Sequence, residues 1–391
     1  MTTLTIEKPN YAQKLLAILT TGHLVNDFYN VTLPFLLPTL IMVFDLSFFQ
    51  AGLLAIATSL LSGVLQPIVG HWADFNSKRK PVMMIGFVAF SLGLMVAGLS
   101  VSYAMVLLAF FIFGLGQTTF HPQSTNFITN AFPDAKGRAM GIHGIGGSIG
   151  NFSAPLAVTF LLTAFGWRYA LFFLAIPGLL MLPFLGGLLS EPPKPKEIVR
   201  QTFQVTPILI LLSLNFALIF MAYRGFLIFL PTYLVETGST LQQAGYIAAL
   251  MLFVGFLAQP IGGYVYDRLG GRFVMIVTSI LTGVAILLFT MDSGLPSLIF
   301  IIIVGMAGTA TFPVSLAMAS DVSDGKNVGA NVGFVFGASG VLGAFIPAIT
   351  GYAADNWGLQ LSFRLLVIVA VASLVMALFL PGHKPQTSKN I

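Results

Sequence analysis

Twelve apolar runs, each carrying at most one charge, decide what this chain can fold into. They fall at roughly 15–43, 48–73, 82–100, 103–130, 139–165 and 167–189, then at about 207–235, 241–266, 273–291, 296–320, 328–354 and 361–381. A helix crossing a bilayer core needs about 20 such residues, and each run supplies that length. The strictly alternating pattern of a membrane barrel is absent. Only 8% of residues are charged, against roughly 25% in soluble domains. Soluble, nucleic-acid-binding and disordered chains are thereby excluded. Met1–Asn10 is polar and contains Pro9, so the sequence predicts no cleaved signal peptide and a first run that is itself a span. With no cysteine, disulfides and thiolate metal or redox sites are ruled out.

Between the sixth and seventh runs lies the densest charged and proline-rich stretch, Ser190 to Arg200. It reads as a linker, giving an N-terminal bundle over 1–189, a cytoplasmic linker over 190–206, and a C-terminal bundle with a short tail over 207–391. Basic residues set the orientation. Lys8, Lys14, Lys78, Arg79, Lys80, Lys136, Arg138, Lys194, Lys196, Arg200, Arg268, Arg272, Lys326, Lys384 and Lys389 fall on one side if twelve helices alternate direction. The positive-inside rule then places both termini in the cytoplasm. The net charge of +5 is thus topology rather than a nucleic-acid footprint.

The halves repeat each other. Gln66-Pro67-Ile68-Val69-Gly70 and Asp74 recur as Gln259-Pro260-Ile261-Gly262-Gly263 and Asp267, an offset of 193. Pro38-Thr39 matches Pro231-Thr232, Ala51-Gly52 matches Ala244-Gly245, and Gly144, Gly147 and Gly150 match Gly337, Gly340 and Gly343. Two tandem six-helix units follow.

Gly263-x-x-x-Asp267-Arg268-x-Gly270-Gly271-Arg272 sits between helices 8 and 9, and Gly70-x-x-x-Asp74 with Lys78-Arg79-Lys80 sits between helices 2 and 3. With twelve helices and the 6+6 repeat, this resembles the major facilitator superfamily. The resemblance implies an all-α integral membrane protein of two pseudo-symmetric six-helix bundles that rock about a central site. It makes Gly70, Asp74, Arg79, Gly263, Asp267, Arg268 and Arg272 gating-loop residues. Phe75 and Ser77 depart from the pattern in the first copy, which weakens that loop's contact.

A narrower resemblance is carried by His23-Leu-Val-Asn26-Asp27 and Phe120-His121-Pro122-Gln123-Ser124. Both look like the fosmidomycin-resistance branch, although Gln123 stands where that branch commonly has Glu. Helix 5 adds Gly141-(eight residues)-Gly150-x-x-x-Ala154-Pro155, similar to a pattern associated with antiporters. The resemblance favours proton-coupled export, with uptake of an organic anion by proton symport as the alternative.

Charges inside a bilayer cost several kcal/mol unless paired or wet, so the few polar residues at depth carry the chemistry. Asp27 lies 13 residues beyond Lys14, about 20 Å into the membrane, and is the only carboxylate clearly within a span. His23 shares its helix face at i,i+4 spacing. His121 comes 18 residues after Tyr103 on a descending helix and reaches a similar depth. Asp27, His23 and His121 are the candidate proton carriers. Arg224, about 16 residues into helix 7, offers a planar fork suited to carboxylate or phosphonate; it either binds an anionic substrate group or pairs with Asp27 as a gate. Asn26, Tyr29, Phe120, Gln123 and Tyr223 neighbour these positions and complete the candidate substrate site. The competing reading makes Arg224 a neutralising partner and the two histidines hydrogen-bonded helix contacts. His143 reads as a packing residue, and Arg168 and Arg364 as anchors of the outer helix ends.

No His-Glu-x-x-His spacing and no phosphate-cradling Gly-x-x-x-x-Gly-Lys-Ser/Thr loop occurs, so the sequence predicts neither a metal site, nor a cofactor, nor ATP-driven pumping. The expected protein is no enzyme. It is a proton-coupled antiporter of the cytoplasmic (inner) membrane, active in efflux or drug resistance by alternating access. Its expected partners are a small anionic or zwitterionic substrate, protons and the lipid bilayer, without nucleic acid, and it works as a monomer.

Overall fold

The computed structural model describes residues 9–188, 204–291, 295–322 and 328–382. Most of the expected linker, the tail from 383, and the basic residues Lys8, Lys194, Lys196, Arg200, Lys326, Lys384 and Lys389 lie outside them. Among the described residues the fold is entirely helical: α1 Pro9–Asn30, α2 Thr32–Phe44, α3 Phe48–Asn76, α4 Arg79–Gly98, α5 Tyr103–Gln117, α6 Phe120–Ala131, α7 Lys136–Phe165, α8 Trp167–Leu188, α9 Pro207–Glu236, α10 Leu241–Leu269, α11 Gly271–Phe289, α12 Leu295–Asp321 and α13 Val328–Leu378. Eleven helical runs are long and apolar enough to cross a membrane. The last contains Gly358 at φ 81°, a non-helical break, so α13 is two helices in series and the twelve sequence runs are all present. Gly166, at φ 75° between α7 and α8, is its counterpart in the first copy; the left-handed backbone at both turns suits glycine.

Two expected helices are split instead of continuous. The first run breaks at Val31 between α1 and α2, and the fourth at Thr118-Thr119 between α5 and α6. Prolines explain both. Pro34 and Pro122 lack the N–H that would bond the carbonyl four residues earlier, at Asn30 and Thr118. Each break lies close to the polar residues picked out by the sequence. In the second copy α9 and α12 run through Pro231 and Pro313 unbroken.

The chain forms two compact units, Met1–Leu36 with Ala57–Ile198, and Leu37–Ile56 with Val199–Ile391. The expected halves thus differ from the units in one stretch, 37–56, which packs with the second. In the first unit, α7 lies hard against α1. A Cβ at Gly146 would come within 2.2 Å of the Thr20 carbonyl oxygen, and one at Gly150 within 2.2 Å of that of Leu24. Only glycine permits that approach. Beside α4, Arg168 donates to the carbonyl oxygens of Gly98 and Ser100 at 2.9 and 3.1 Å, satisfying acceptors that a helix end leaves without intrahelical partners.

The second unit is centred on buried Leu212, Phe216, Met275 and Val314. Asn215 of α9 donates to the Ser373 carbonyl at 2.8 Å, and Ser373 Oγ lies 3.0 Å from Ser279 Oγ. Arg364 donates to Thr290 Oγ1 and O at 3.0 and 3.1 Å, repeating the Arg168 arrangement at the end of α11. Segment 37–56 is held by Asp355, whose carboxylate accepts from the Phe48 and Phe49 amides at 2.7 and 2.9 Å. Ser47 and Gln50 add a reciprocal capping box, matched in the repeat by Thr240 and Gln243.

Candidate functional site

The first unit gathers its polar side chains where α1, α6 and α7 meet. Asp27 Oδ2 lies 3.3 Å from His23 Nε2, and Asp27 Oδ1 lies 3.4 Å from His121 Nε2. The i,i+4 geometry of α1 sets the first contact. The second depends on the α5–α6 break, which places His121 in the first turn of α6. Asp27 also accepts from Asn26 Nδ2 at 3.0 Å, Asn30 Nδ2 at 3.2 Å and Asn151 Nδ2 at 3.3 Å. Three neutral amides thus solvate a half-buried carboxylate, as a charge at this depth requires.

The tautomers follow from the partners. His23 Nδ1 lies 2.8 Å from the His143 carbonyl oxygen, which can only accept, so Nδ1 carries the proton. Asn26 Nδ2 lies 3.1 Å from His121 Nε2 and donates to it. In their neutral forms both imidazoles therefore turn a lone pair toward Asp27. With both rings neutral, three electron-rich groups face one another with no hydrogen between His23 and the carboxylate. A proton or a metal cation is what this arrangement accommodates.

Around the cluster, the His143 ring stacks on His23 with centroids 4.2 Å apart, and Phe120 lies 6.1 Å from both His23 and His121. A Cβ at Gly147 would stand 2.6 Å from both Asp27 Oδ2 and His23 Nε2. Glycine leaves the α7 side of the pair open.

The structure brings together Asp27, His23, His121, Asn26 and Phe120. Tyr29 is not part of the group: it is fully buried, donates to the Leu174 carbonyl at 2.9 Å and accepts from Gly178 N at 2.8 Å, tying α1 to α8. Gln123 is fully buried, and neither amide atom has a hydrogen-bond partner. Asn30, His143, Gly147 and Asn151 were not singled out as site residues by the sequence. The last three fall at i, i+4 and i+8 on α7, a one-face spacing that the helix-5 glycine pattern obscured.

In the second unit, Arg224 sits over the Phe220 ring at 5.8 Å. Its Nε is buried without a hydrogen-bond partner, and no ion pair reaches it among the described residues. Carboxylates there stand at helix ends: Asp45 follows α2, Glu236 ends α9, Asp267 and Asp321 close α10 and α12, and Asp355 precedes the Gly358 break. Tyr223 is buried against Gly308.

Of the residues expected in gating loops, Gly70 packs on Pro122 of α6 and Arg79 is buried at the start of α4. The Asp74 side chain lies outside the described residues. In the second copy Asp267 is exposed, Arg268 lies over the Tyr264 ring at 4.5 Å, Arg272 is half-buried, and Gly263 has open space where a Cβ would stand. Tyr266 donates to Asp321 nearby, joining α10 to α12.

Long apolar helices in two repeated units, with charge kept to their ends apart from a few internal positions, define a multi-pass membrane protein of the transporter kind. Residues 19–237 and 212–391 match the family described as Major Facilitator Superfamily, and the chain belongs to it. It is 27% identical to the fosmidomycin resistance protein of Escherichia coli (strain K12), over 95% of this chain and 93% of that protein. It is 28% identical to the uncharacterized MFS-type transporter YfnC of Bacillus subtilis (strain 168), over 97% and 96%. The crystal structure of a bacterial homolog to the human lysosomal transporter Spinster, inward-facing and occupied, superposes with a TM-score of 0.85 at 18% identity, covering 95% of this chain and 97% of that one. The protein is therefore a transporter and not an enzyme.

Proposed function

We propose that the chain exports a small anionic or zwitterionic organic compound in exchange for protons, by alternating access, as a monomer in the cytoplasmic (inner) membrane with both termini in the cytoplasm. The observation that carries the coupling is the face-to-face placement of His23 Nε2 and Asp27 Oδ2 at 3.3 Å. One proton held between them turns a repulsion into a charge-assisted bond, and releasing it restores the repulsion. His121 stands on the other carboxylate oxygen and extends the path.

Arg224 supports an anionic cargo. A guanidinium whose Nε is buried and which lacks a counter-charge is costly, and its fork matches a carboxylate or phosphonate. Asn26, Phe120, Gln123 and Tyr223 are the further substrate contacts. Similarity to a fosmidomycin resistance protein favours the outward direction. The test is transport in proteoliposomes under an imposed pH gradient, with organic acids and phosphonates as cargo. Wild-type export driven by inward protons is expected. Full pH-driven transport by Asp27→Asn would overturn the coupling role.

A further inference from the structure

We propose that His23, Asp27 and His121 also form a binding site for a divalent transition-metal ion of the Zn2+ type, through the two Nε2 atoms and the carboxylate. The ligand atoms all lie within 4.8 Å of one another. Metal–ligand bonds of about 2.0–2.1 Å in a tetrahedral site set ligand atoms about 3.4 Å apart. His23 Nε2 lies 3.3 Å from Oδ2 and His121 Nε2 3.4 Å from Oδ1, so each imidazole stands at that spacing from one carboxylate oxygen and a small turn of the carboxylate brings a single oxygen between them. Two imidazoles and one carboxylate are a donor set that suits zinc and its neighbours and leaves a coordination position open.

The surroundings are those a metal-binding histidine needs. His23 donates its far nitrogen to a backbone carbonyl, which orients the ring and leaves Nε2 free to coordinate. Asp27 is fixed by amides of Asn30 and Asn151. Coordination takes the His121 lone pair from Asn26, whose amide keeps its bond to Asp27 Oδ1. Gly147 leaves space beside the pair, and the His121 side chain, 37% exposed, gives an entry path. The chain has no cysteine, so no thiolate competes for the ion. Sequence spacing did not reveal the site because its third ligand comes from a helix 94 residues further on. Metal and proton compete for the same lone pairs, which makes such ions inhibitors of proton coupling.

This inference uses the residues of the coupling reading but does not depend on transport. The experiment is a Co2+ titration of the full-length, detergent-purified, tag-free protein, followed by visible absorption and then by Zn2+ displacement. One Co2+ per chain with a low-symmetry, intense visible band is expected. Binding weakens at least tenfold in His23→Gln and His121→Gln and is unchanged in His71→Gln, a residue at the exposed end of α3. Gly147→Ala keeps every ligand yet places a methyl in the site, so it too weakens binding, which covers a histidine variant that fails to fold. No Co2+ bound at millimolar concentration, or equal binding by wild type and both His→Gln variants, would overturn the proposal. Should Asp27→Asn lose proton-driven transport while the wild type binds no Co2+, the metal site falls and the coupling reading stands. Co2+ binding beside unaffected Asp27→Asn transport gives the reverse.

Discussion

His23 donates its Nδ1 proton to the backbone oxygen of His143 at 2.8 Å, and this one bond decides which nitrogen meets Asp27. Because the carbonyl can only accept, the neutral ring turns its Nε2 lone pair to a carboxylate oxygen. The proposed chemistry of the first unit follows from that orientation: an added positive charge between the two groups would relieve their repulsion.

Asp27→Asn replaces the carboxylate by an amide of the same shape. An amide can donate to His23 Nε2 but does not titrate. Export driven by a pH gradient should fall more than tenfold, while substrate exchange at equal pH on both sides survives. His23→Gln should flatten the pH dependence of transport, with Asp27, His121 and His143 still facing the position. Proteoliposome flux across a series of pH values checks both.

Gly147→Ala should impair transport without unfolding the protein. The new methyl group would stand 2.6 Å from both members of the His23–Asp27 pair, closer than such contacts allow, so the side chains must move apart. Flux is expected to drop about tenfold or more, since roughly 1.4 kcal/mol of misplacement suffices for that factor. Gly141→Ala, where nothing lies within 4 Å, is the matched control and should transport normally.

Much of this was legible in the sequence, for physical reasons that can be named. Hydrocarbon excludes charge, so the apolar runs announced the helices, and the scarcity of internal charge pointed to Asp27, His23, His121 and Arg224. Proline effects were harder to read: Pro34 and Pro122 split two helices, whereas Pro231 and Pro313 did not. Tyr29 was misplaced because two residues along a helix turn a side chain about 200° from Asp27, to the opposite face, here toward α8. Asn151 went unnoticed, and the place of His143 beside His23 could not be read, because helix–helix contacts between distant segments leave no local signature.

Arg224→Ala should weaken binding of an anionic cargo by about 10- to 100-fold, the loss expected for a charged hydrogen bond of about 1.5–3 kcal/mol. Arg224→Lys should recover only part, because an ammonium cannot make the two parallel bonds of a guanidinium. Affinity measured by thermal shift or scintillation proximity on the purified protein decides the point. Unchanged affinity in a folded Arg224→Ala protein would place the anion site elsewhere.

Arg168, two residues after Gly166, and Arg364, six residues after Gly358, each donate to carbonyl oxygen at the end of a neighbouring helix. Both residues are exposed, so each should contribute only about 1 kcal/mol. Single alanine variants are expected to lower the melting temperature of the purified protein by a few degrees and leave substrate affinity unchanged.

Asp355 holds the start of α3 through two backbone amides, in addition to the Ser47–Gln50 box. Negative charge at a helix N-terminus also meets the positive end of the helix dipole. Asp355→Ala removes both effects and should cost about 1 kcal/mol, lowering the melting temperature. Asp355→Asn keeps one acceptor oxygen but loses the charge, so it should fall between alanine and wild type. Hydrogen exchange at the Phe48 and Phe49 amides reads the local effect, and both should exchange faster in the alanine variant. Equal protection in wild type and Asp355→Ala would mean that the capping box alone secures the helix start.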